Sequence, residues 1–388
     1  MSRRIGVVTV ARSDYGIYFP VLKLLQSDSD FDLQLIVAAA HFSPQFGNTI
    51  EEIEKDGFPI SARVPVPMQD DSQQEVARAI GEGLHRFAAT YEAVRPDILL
   101  VLGDRYEMFA AATAALPLRI PVAHIHGGEL TLGAIDDAMR HCITKLSHIH
   151  FAATEEYGRR IRQLGEEPWR VHVTGSPVVD VILGLQPITK QQLESEIGLD
   201  LPGSLLVTFH PVTLDEAAAP ERISNLLDAL AQLDFSLIFT YPNADSGSND
   251  IIREVRMFVK ERRNARLFPN LGFRKYQSLQ KYVAAMVGNS SSGFVEAACA
   301  RLPVVNIGSR QEGRLRTPNI IDVPCDVTAI VSAIRKATDP AVRESAATMK
   351  NPYGDGHSAE KIVATLKALP PRPKLLKKKF QDITKDTQ

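Results

Sequence analysis

Short apolar runs alternate along the chain with stretches whose apolar residues fall three and four positions apart. Ile5–Val10, Phe31–Ala39, Ile98–Leu102, Pro121–Ile125, His148–Ala152 and Val171–Thr174 have the length and composition of strands. Between them, Ile17–Leu25, Asn48–Asp56 and Ser72–Val94 read as helices, the last with Val76, Ile80, Leu84 and Phe87 on one face. Met108, Ala111, Ala112, Ala115 and Leu116 carry a helical pattern between two of the runs. Thr154 caps a further helix with Tyr157, Ile161 and Leu164 on its buried side. Such strand–helix–strand repeats build a parallel sheet covered by helices on both faces. From about Leu183 to Gly203, polar, Pro and Gly signals surround one helix and mark a domain boundary. Alternation resumes at Leu205, where LLVTFHPVT reads as a strand closing on His210. It continues through strands at Phe235–Phe239, Ala265–Phe268, Ala285–Val287 and Val304–Ile307, with helices at Glu221–Leu233, Ile251–Glu261, Arg274–Ala284 and Gly293–Ala300.

The pattern therefore predicts an α/β protein of two Rossmann-like three-layer domains. Residues 1–185 form the first and 186–355 the second. A helix over 356–370 follows, and a basic tail over 371–388 is expected to be mobile. The 388 residues suit two domains, and 44% hydrophobic with 23% charged residues is ordinary for a globular chain. A formal net charge of −2 argues against general binding to nucleic acid or an anionic membrane. Cys142, Cys299 and Cys325 lack metal-ligand spacing and fit a reducing, cytoplasmic setting. The basic then apolar start, MSRRIGVVTV, is too short in its apolar part for a signal peptide and reads as a first strand. No run reaches membrane-spanning length.

In an open parallel sheet, ligands bind beyond the carboxyl ends of the strands. Asp104 and Arg105 follow one predicted strand; His124, His126, Gly127, Gly128 and Glu129 lie at and past the next; Arg12 and Asp14 follow the first. Asp136, Asp137, Arg140 and His141 come within two helical turns. These acids, arginines and histidines should face one crevice. A zinc site is not expected, because histidines two apart on a strand point to opposite faces. In the second domain, GNSSSGFVE (Gly288–Glu296) joins a strand to a helix start. Its N–H groups and the hydroxyls of Ser290, Ser291 and Ser292 suit phosphate, with helix capping by Ser292 as the plainer alternative. It lacks the lysine of a triphosphate loop and is not a GxSxG elbow. Glu296 suits a pair of ribose hydroxyls, while His210 and Arg310 add cationic capacity nearby. GEGLHR lacks the third glycine of a dinucleotide fingerprint and does not follow a strand.

GDRYE, HIHGGE, IDDAMRH, ITKLSH, NADSGS, GNSSSG and NIGSRQEGR, in this order, closely resemble the hydrolysing UDP-N-acetylglucosamine 2-epimerases. The resemblance spans nearly the whole chain, from ARSDYG to the final helix. It implies the glycosyltransferase-B architecture, with a nucleotide sugar in the cleft between two domains and the last helix returning to the first. It further implies release of UDP and N-acetylmannosamine, the entry to sialic acid synthesis, or action on a 2,4-diacetamido-2,4,6-trideoxy sugar. By this resemblance Asp104 and Asp136 fall on proton-transferring acids, Glu129 on the last acid of its motif, and His124 and His148 on active-site histidines. Arg12, Arg105, His210, Asn243, Ser290, Ser291, Glu296 and Arg310 fall on UDP-contacting positions. Some relatives carry Glu where this chain has His126. A homodimer or higher homo-oligomer is expected, with no cofactor and no metal.

The hydrogen on carbon 2 of an acetamido sugar is barely acidic, so inversion there needs either a nearby oxidation or loss of a leaving group. Without a dinucleotide fingerprint the second route is expected: UDP leaves carbon 1, a carboxylate takes the carbon 2 proton, and a glucal forms. Water then adds at carbon 1 while an acid on the other face protonates carbon 2. The alternatives are a glycosyltransferase of the same fold, a non-hydrolysing epimerase that re-adds UDP, and a non-catalytic nucleotide-sugar sensor.

Overall fold

The computed structural model describes residues 2–43, 48–70, 72–132, 135–211, 219–242 and 248–382, with 219 and 220 by backbone alone. The chain divides into two compact units: Met1–Glu129 with Ile135–Val181 and Pro352–Gln388, and Leu130–Ala134 with Ile182–Asn351.

The first unit runs β1 (Arg3–Thr9), α1 (Arg12–Ser27), β2 (Phe31–Ala38), α2 (Ile50–Lys55), β3 (Ile60–Val64), α3 (Gln73–Val94), β4 (Ile98–Leu102), α4 (Tyr106–Ala115), β5 (Val122–Ile125), α5 (Ile135–Leu146), β6 (Ile149–Ala152), α6 (Glu155–Gln163), β7 (Val171–Val173) and α7 (Pro177–Gly184). Its seven strands pair in parallel, in the order β3-β2-β1-β4-β5-β6-β7. Strands β4 and β5 are buried along their whole length, which explains their unbroken apolar runs. On one face of the sheet Val8, Ile36, Leu99 and Val101 pack against Phe87, Tyr91 and the alanines of α4. Gly83 permits this approach: a Cβ there would stand 3.3 Å from that of Ala110.

On the other face, Ile5, Val7, Leu100 and Ile125 join Tyr18, Leu22 and Leu25 of α1. The second unit follows in sequence as α8 (Lys190–Ile197), β8 (Ser204–Thr208), α9 (Ala219–Ala231), β9 (Ser236–Thr240), α10 (Ser248–Lys260), β10 (Ala265–Phe268), α11 (Phe273–Gln280), β11 (Ala285–Gly288), α12 (Glu296–Ala300), β12 (Val304–Ile307), β13 (Ile320–Val323), α13 (Val327–Ala337) and α14 (Pro340–Thr348). Its six strands are also parallel, in the order β10-β9-β8-β11-β12-β13. The chain then supplies α15 (Ser358–Ala368) and α16 (Arg372–Leu376) to the first unit. Ile362, Val363, Leu366, Leu369 and Leu375 complete the α1 side of that unit's core. Asp180 accepts from the Ser358 and Ala359 N–H groups at 3.0 and 2.7 Å and so caps α15 from another segment.

Three expectations change. The first helix begins before Ile17: α1 starts at Arg12, with Ala11 extended before it. Gly293–Ala300 is not one helix: Ser291–Gly293 is a 3₁₀ turn, with the Ser290 hydroxyl accepting from the Ser292 N–H, and α12 has five residues. The described tail is held on the first unit as far as Gln381, whose N–H donates to the Gly165 carbonyl at 2.9 Å, rather than mobile. Lys378 Nζ donates to the Ser147 carbonyl at 2.5 Å and to Glu166 Oε1 at 2.9 Å. Arg170 donates to the carbonyls of Leu375 and Lys377 at 3.0 and 2.8 Å.

Candidate active site

The sheet of the first unit reverses its winding between β1 and β4, and their carboxyl ends frame a pocket of ≈ 180 Å³. Ser13, Asp14 and Ile17 of α1 form one wall. Gly103, Asp104 and Arg105 follow β4, His126 and Glu129 follow β5, and Arg140 projects from α5. The HIHGGE turn holds its shape for local reasons. His126 adopts φ +65° and Gly128 φ +77°. A Cβ on Gly128 would come within 2.4 Å of the Tyr157 carbonyl, so α6 packs directly on the turn. Arg160 of α6 donates to the Gly128 carbonyl.

Arg140 is only 4% exposed. It ion-pairs with Asp104 and, at 3.2 Å, with Glu129 Oε2. Glu129 Oε1 stands 3.7 Å from His126 Nδ1, and His126 Nε2 lies 2.8 Å from Ser176 Oγ. Asp14 is buried; burial pushes its carboxyl above the usual range, offset in part by the Arg105 charge. Glu107, also buried beside Arg105, is raised for the same reason. Asp136 is half-buried in the first turn of α5, where its charge acts on Arg105. Acids, a neutral-or-cationic imidazole and two arginines thus share one pocket or its rim.

Other expected residues stand elsewhere. His124 is fully buried and absent from the pocket wall. Its Nε2–H donates to the Gly103 carbonyl at 2.8 Å, leaving Nδ1 to accept from Thr144 Oγ1 at 3.2 Å. Burial lowers it to about 3, so it braces the β4 end as a neutral ring. His148 precedes β6, at the amino end of the parallel sheet and opposite the pocket. There Val122 N–H donates to its Nδ1 at 3.2 Å. A histidine that starts a strand cannot share the crevice with residues that end one. Arg12 is exposed and turned to Glu52 at 3.2 Å. Among the described residues no group of His, Cys, Asp and Glu could hold a metal ion.

The second unit gathers its polar groups at its own winding reversal, between β8 and β11. His210 follows β8 and is locked to Asn289: its N–H donates to Asn289 Oδ1 at 2.7 Å, and Asn289 Nδ2 donates back to its carbonyl at 2.9 Å. Arg310 and Gln311 donate to the Asn289 carbonyl at 3.2 and 2.9 Å. Burial, with the Arg310 charge beside it, lowers His210 to about 3. Gly288 takes φ +139°, and a Cβ there would collide with the Thr208 carbonyl at 1.9 Å. Ser292 Oγ bonds Ser290 Oγ at 3.0 Å and Tyr276 Oη at 2.8 Å. Gln277 donates to Glu296 at 2.6 Å, and burial raises that carboxyl. Helix α12 is only five residues long, so the polar groups at this strand end are the serine hydroxyls, backbone N–H groups and Arg310 rather than a long helix dipole. Asn243 lies outside the described residues.

Sequence reasoning named Arg140 but gave it no role, and it missed Asn289, Gln277 and Ser176. A signal for Arg140 existed. Asp136, Arg140 and Thr144 fall four apart on α5, and Arg140 and Thr144 are buried where a helix packed on a sheet would place apolar residues.

Two parallel-sheet α/β units of this kind, each with polar groups gathered at its strand ends, define a glycosyltransferase-B-type protein. The sequence model of the family described as UDP-N-acetylglucosamine 2-epimerase matches residues 23–367. A "GDP/UDP-N,N'-diacetylbacillosamine 2-epimerase (hydrolyzing)" of Campylobacter jejuni is 42% identical over 82% of this chain and 84% of its own length. A "UDP-N,N'-diacetylbacillosamine 2-epimerase (hydrolyzing)" of Legionella pneumophila is 37% identical over 97% of this chain and 99% of its own. The solved UDP-GlcNAc 2-epimerase of Neisseria meningitidis shares the fold at a TM-score of 0.81 and 21% identity, covering 94% of this chain and 99% of that one. The chain belongs to the hydrolysing UDP-N-acetylglucosamine 2-epimerase family. No described helix is long and apolar enough to cross a membrane.

Proposed function

We propose that this protein hydrolyses UDP-N,N'-diacetylbacillosamine with inversion at carbon 2, releasing UDP and the free 2-epimeric sugar. The names of the Campylobacter and Legionella relatives favour this substrate. UDP-N-acetylglucosamine, the first expectation from sequence, is the second reading and is favoured by the description of the matching family.

The observation that carries the chemistry is the gathering of Asp104, Arg140, Glu129 and His126 in one pocket. Asp104 takes the proton from carbon 2 as the carbon 1–oxygen bond breaks, and UDP departs with the bonding electrons. Water then supplies hydroxide to carbon 1 of the glucal, and a proton reaches carbon 2 from the opposite face. His126, whose Nδ1 faces Glu129, and Asp136 are the candidates for that delivery. General acid and base contribute about 10²–10⁴-fold each, and stabilisation of the departing diphosphate supplies more. His210, Arg310, Asn243 and Ser290–Ser292 are assigned to UDP, Glu296 to the ribose, and Arg105 and Asp14 to polar substrate groups.

The test is incubation with each UDP-sugar in ¹⁸O-water and separately in D₂O, followed by mass spectrometry. One ¹⁸O at the anomeric position and one deuterium at carbon 2 are expected, with UDP released in equal amount. A product lacking either label would end the proposal.

A further inference from the structure

We infer that Arg140 is a positioning residue that fixes the two carboxylates of the pocket relative to each other. The inference rests on the reading of this pocket as the place of proton exchange at carbon 2. Asp104 follows β4 and Glu129 follows β5, so each sits on a separate loop. Arg140 rises from a third element, α5, and is the group that joins them: one guanidinium nitrogen meets Asp104 and the other reaches Glu129 Oε2 at 3.2 Å. The same Nη1 is 3.5 Å from the His126 carbonyl, which ties the turn as well. Held on separate nitrogens of one fork, Asp104 keeps a fixed direction toward the pocket and Glu129 a fixed one toward His126. A guanidinium suits this task because its planar fork carries several donors in fixed directions. A lysine, with one compact charge, could serve one carboxylate well but not both. Burial is the second half of the argument. At 4% exposure Arg140 offers little surface to a substrate, so it acts through Asp104 and through Glu129, which in turn faces His126.

The test compares Arg140→Lys and Arg140→Ala with wild type in turnover, in UDP affinity by calorimetry, and in thermal midpoint. Arg140→Lys keeps the charge and is expected to fold. Its kcat should fall about 10–100-fold, with UDP affinity within about threefold of wild type, because a misplacement near 1 Å costs about 10²-fold. Arg140→Ala should lose more, and added guanidinium or methylguanidinium should restore at least about tenfold of the loss, which a purely structural role would not allow. Arg140→Lys turnover within threefold of wild type would overturn the inference while leaving the reaction intact. So would a folded Arg140→Ala protein that guanidinium does not rescue. Failure of the underlying reading shows separately, as a wild-type protein that releases no UDP from any of the sugars, and it would take the inference with it.

Discussion

Acid should weaken the first unit more than the second, because more lowered histidines are buried there, with the raised carboxyls of Asp14 and Glu107 offsetting part of the difference. His41, His124 and His148 are buried in the first unit, lowered by burial to about 4, about 3 and about 4; His210, in the second, is lowered to about 3. All four start from 6.5 in the unfolded chain. Above that value neither state takes up these protons and stability does not depend on them. As pH falls below 6.5 the unfolded chain binds protons that the native fold refuses, so stability drops until pH reaches the folded values of about 4 and 3. At pH 5.5 each group therefore costs about 1.4 kcal/mol relative to alkaline pH. The three in the first unit together cost about 4 kcal/mol, against about 1.4 kcal/mol for the one in the second. His141, His150 and His172, also lowered by burial, act in the same direction on the first unit. The chain's single tryptophan, Trp169, lies in the first unit, so its fluorescence reports that unit alone. The assay is urea titration at pH 8.0, 6.5 and 5.5, followed by Trp169 fluorescence and by far-UV circular dichroism. Between pH 8.0 and 5.5 the fluorescence midpoint should fall further than the part of the circular dichroism transition that belongs to the second unit, and hydrogen exchange should show the larger loss of protection in β1–β7. Unchanged midpoints between pH 8.0 and 5.5, or a larger pH-dependent drop in β8–β13 than in β1–β7, would refute the reasoning.

Asp104→Asn should lower turnover by about 10²-fold or more and stop deuterium entry at carbon 2, while calorimetry still detects UDP binding. At pH 5, UDP binding should draw a proton onto His210, because a diphosphate raises the pKa of a ring held at about 3 by about 1–3; the calorimetric heat should then vary with buffer ionisation enthalpy at pH 5, and His210→Asn should remove that variation. Lys378→Met should destabilise the first unit by about 1–3 kcal/mol in urea unfolding, because Glu166 is fully buried and keeps only Lys145 and His150. Gly128→Ala should cost about 1–3 kcal/mol in backbone strain alone and lower kcat with it, measured by thermal melting alongside UDP release.

The strands were legible because both sheets are parallel and buried on two faces, so β4, β5, β8 and β12 read as apolar runs without interruption. Asp104, His126 and Glu129 followed from the rule of strand ends. His148 was grouped with the active-site histidines by the family resemblance, although the expected strand His148–Ala152 already set it at the amino end, where the structure has it. The tail was misjudged because its lysines look solvated in sequence, whereas the buried carboxylate that receives Lys378 lies 212 residues away. The helix expected after GNSSSG fails where Ser290 captures a local N–H, a competition that apolar periodicity does not register.

Helix α15 closes the core of a unit whose first strand was made some 350 residues earlier. On a ribosome, the second unit, nearly continuous in sequence, can finish folding while the first still shows the apolar flank of α1 and its sheet to the surroundings. The leading half of the polypeptide therefore completes its core only after residues 359–375 have been made. A nascent chain stalled before residue 358 would leave the apolar flank of α1 bare despite carrying every residue of the Asp104 pocket.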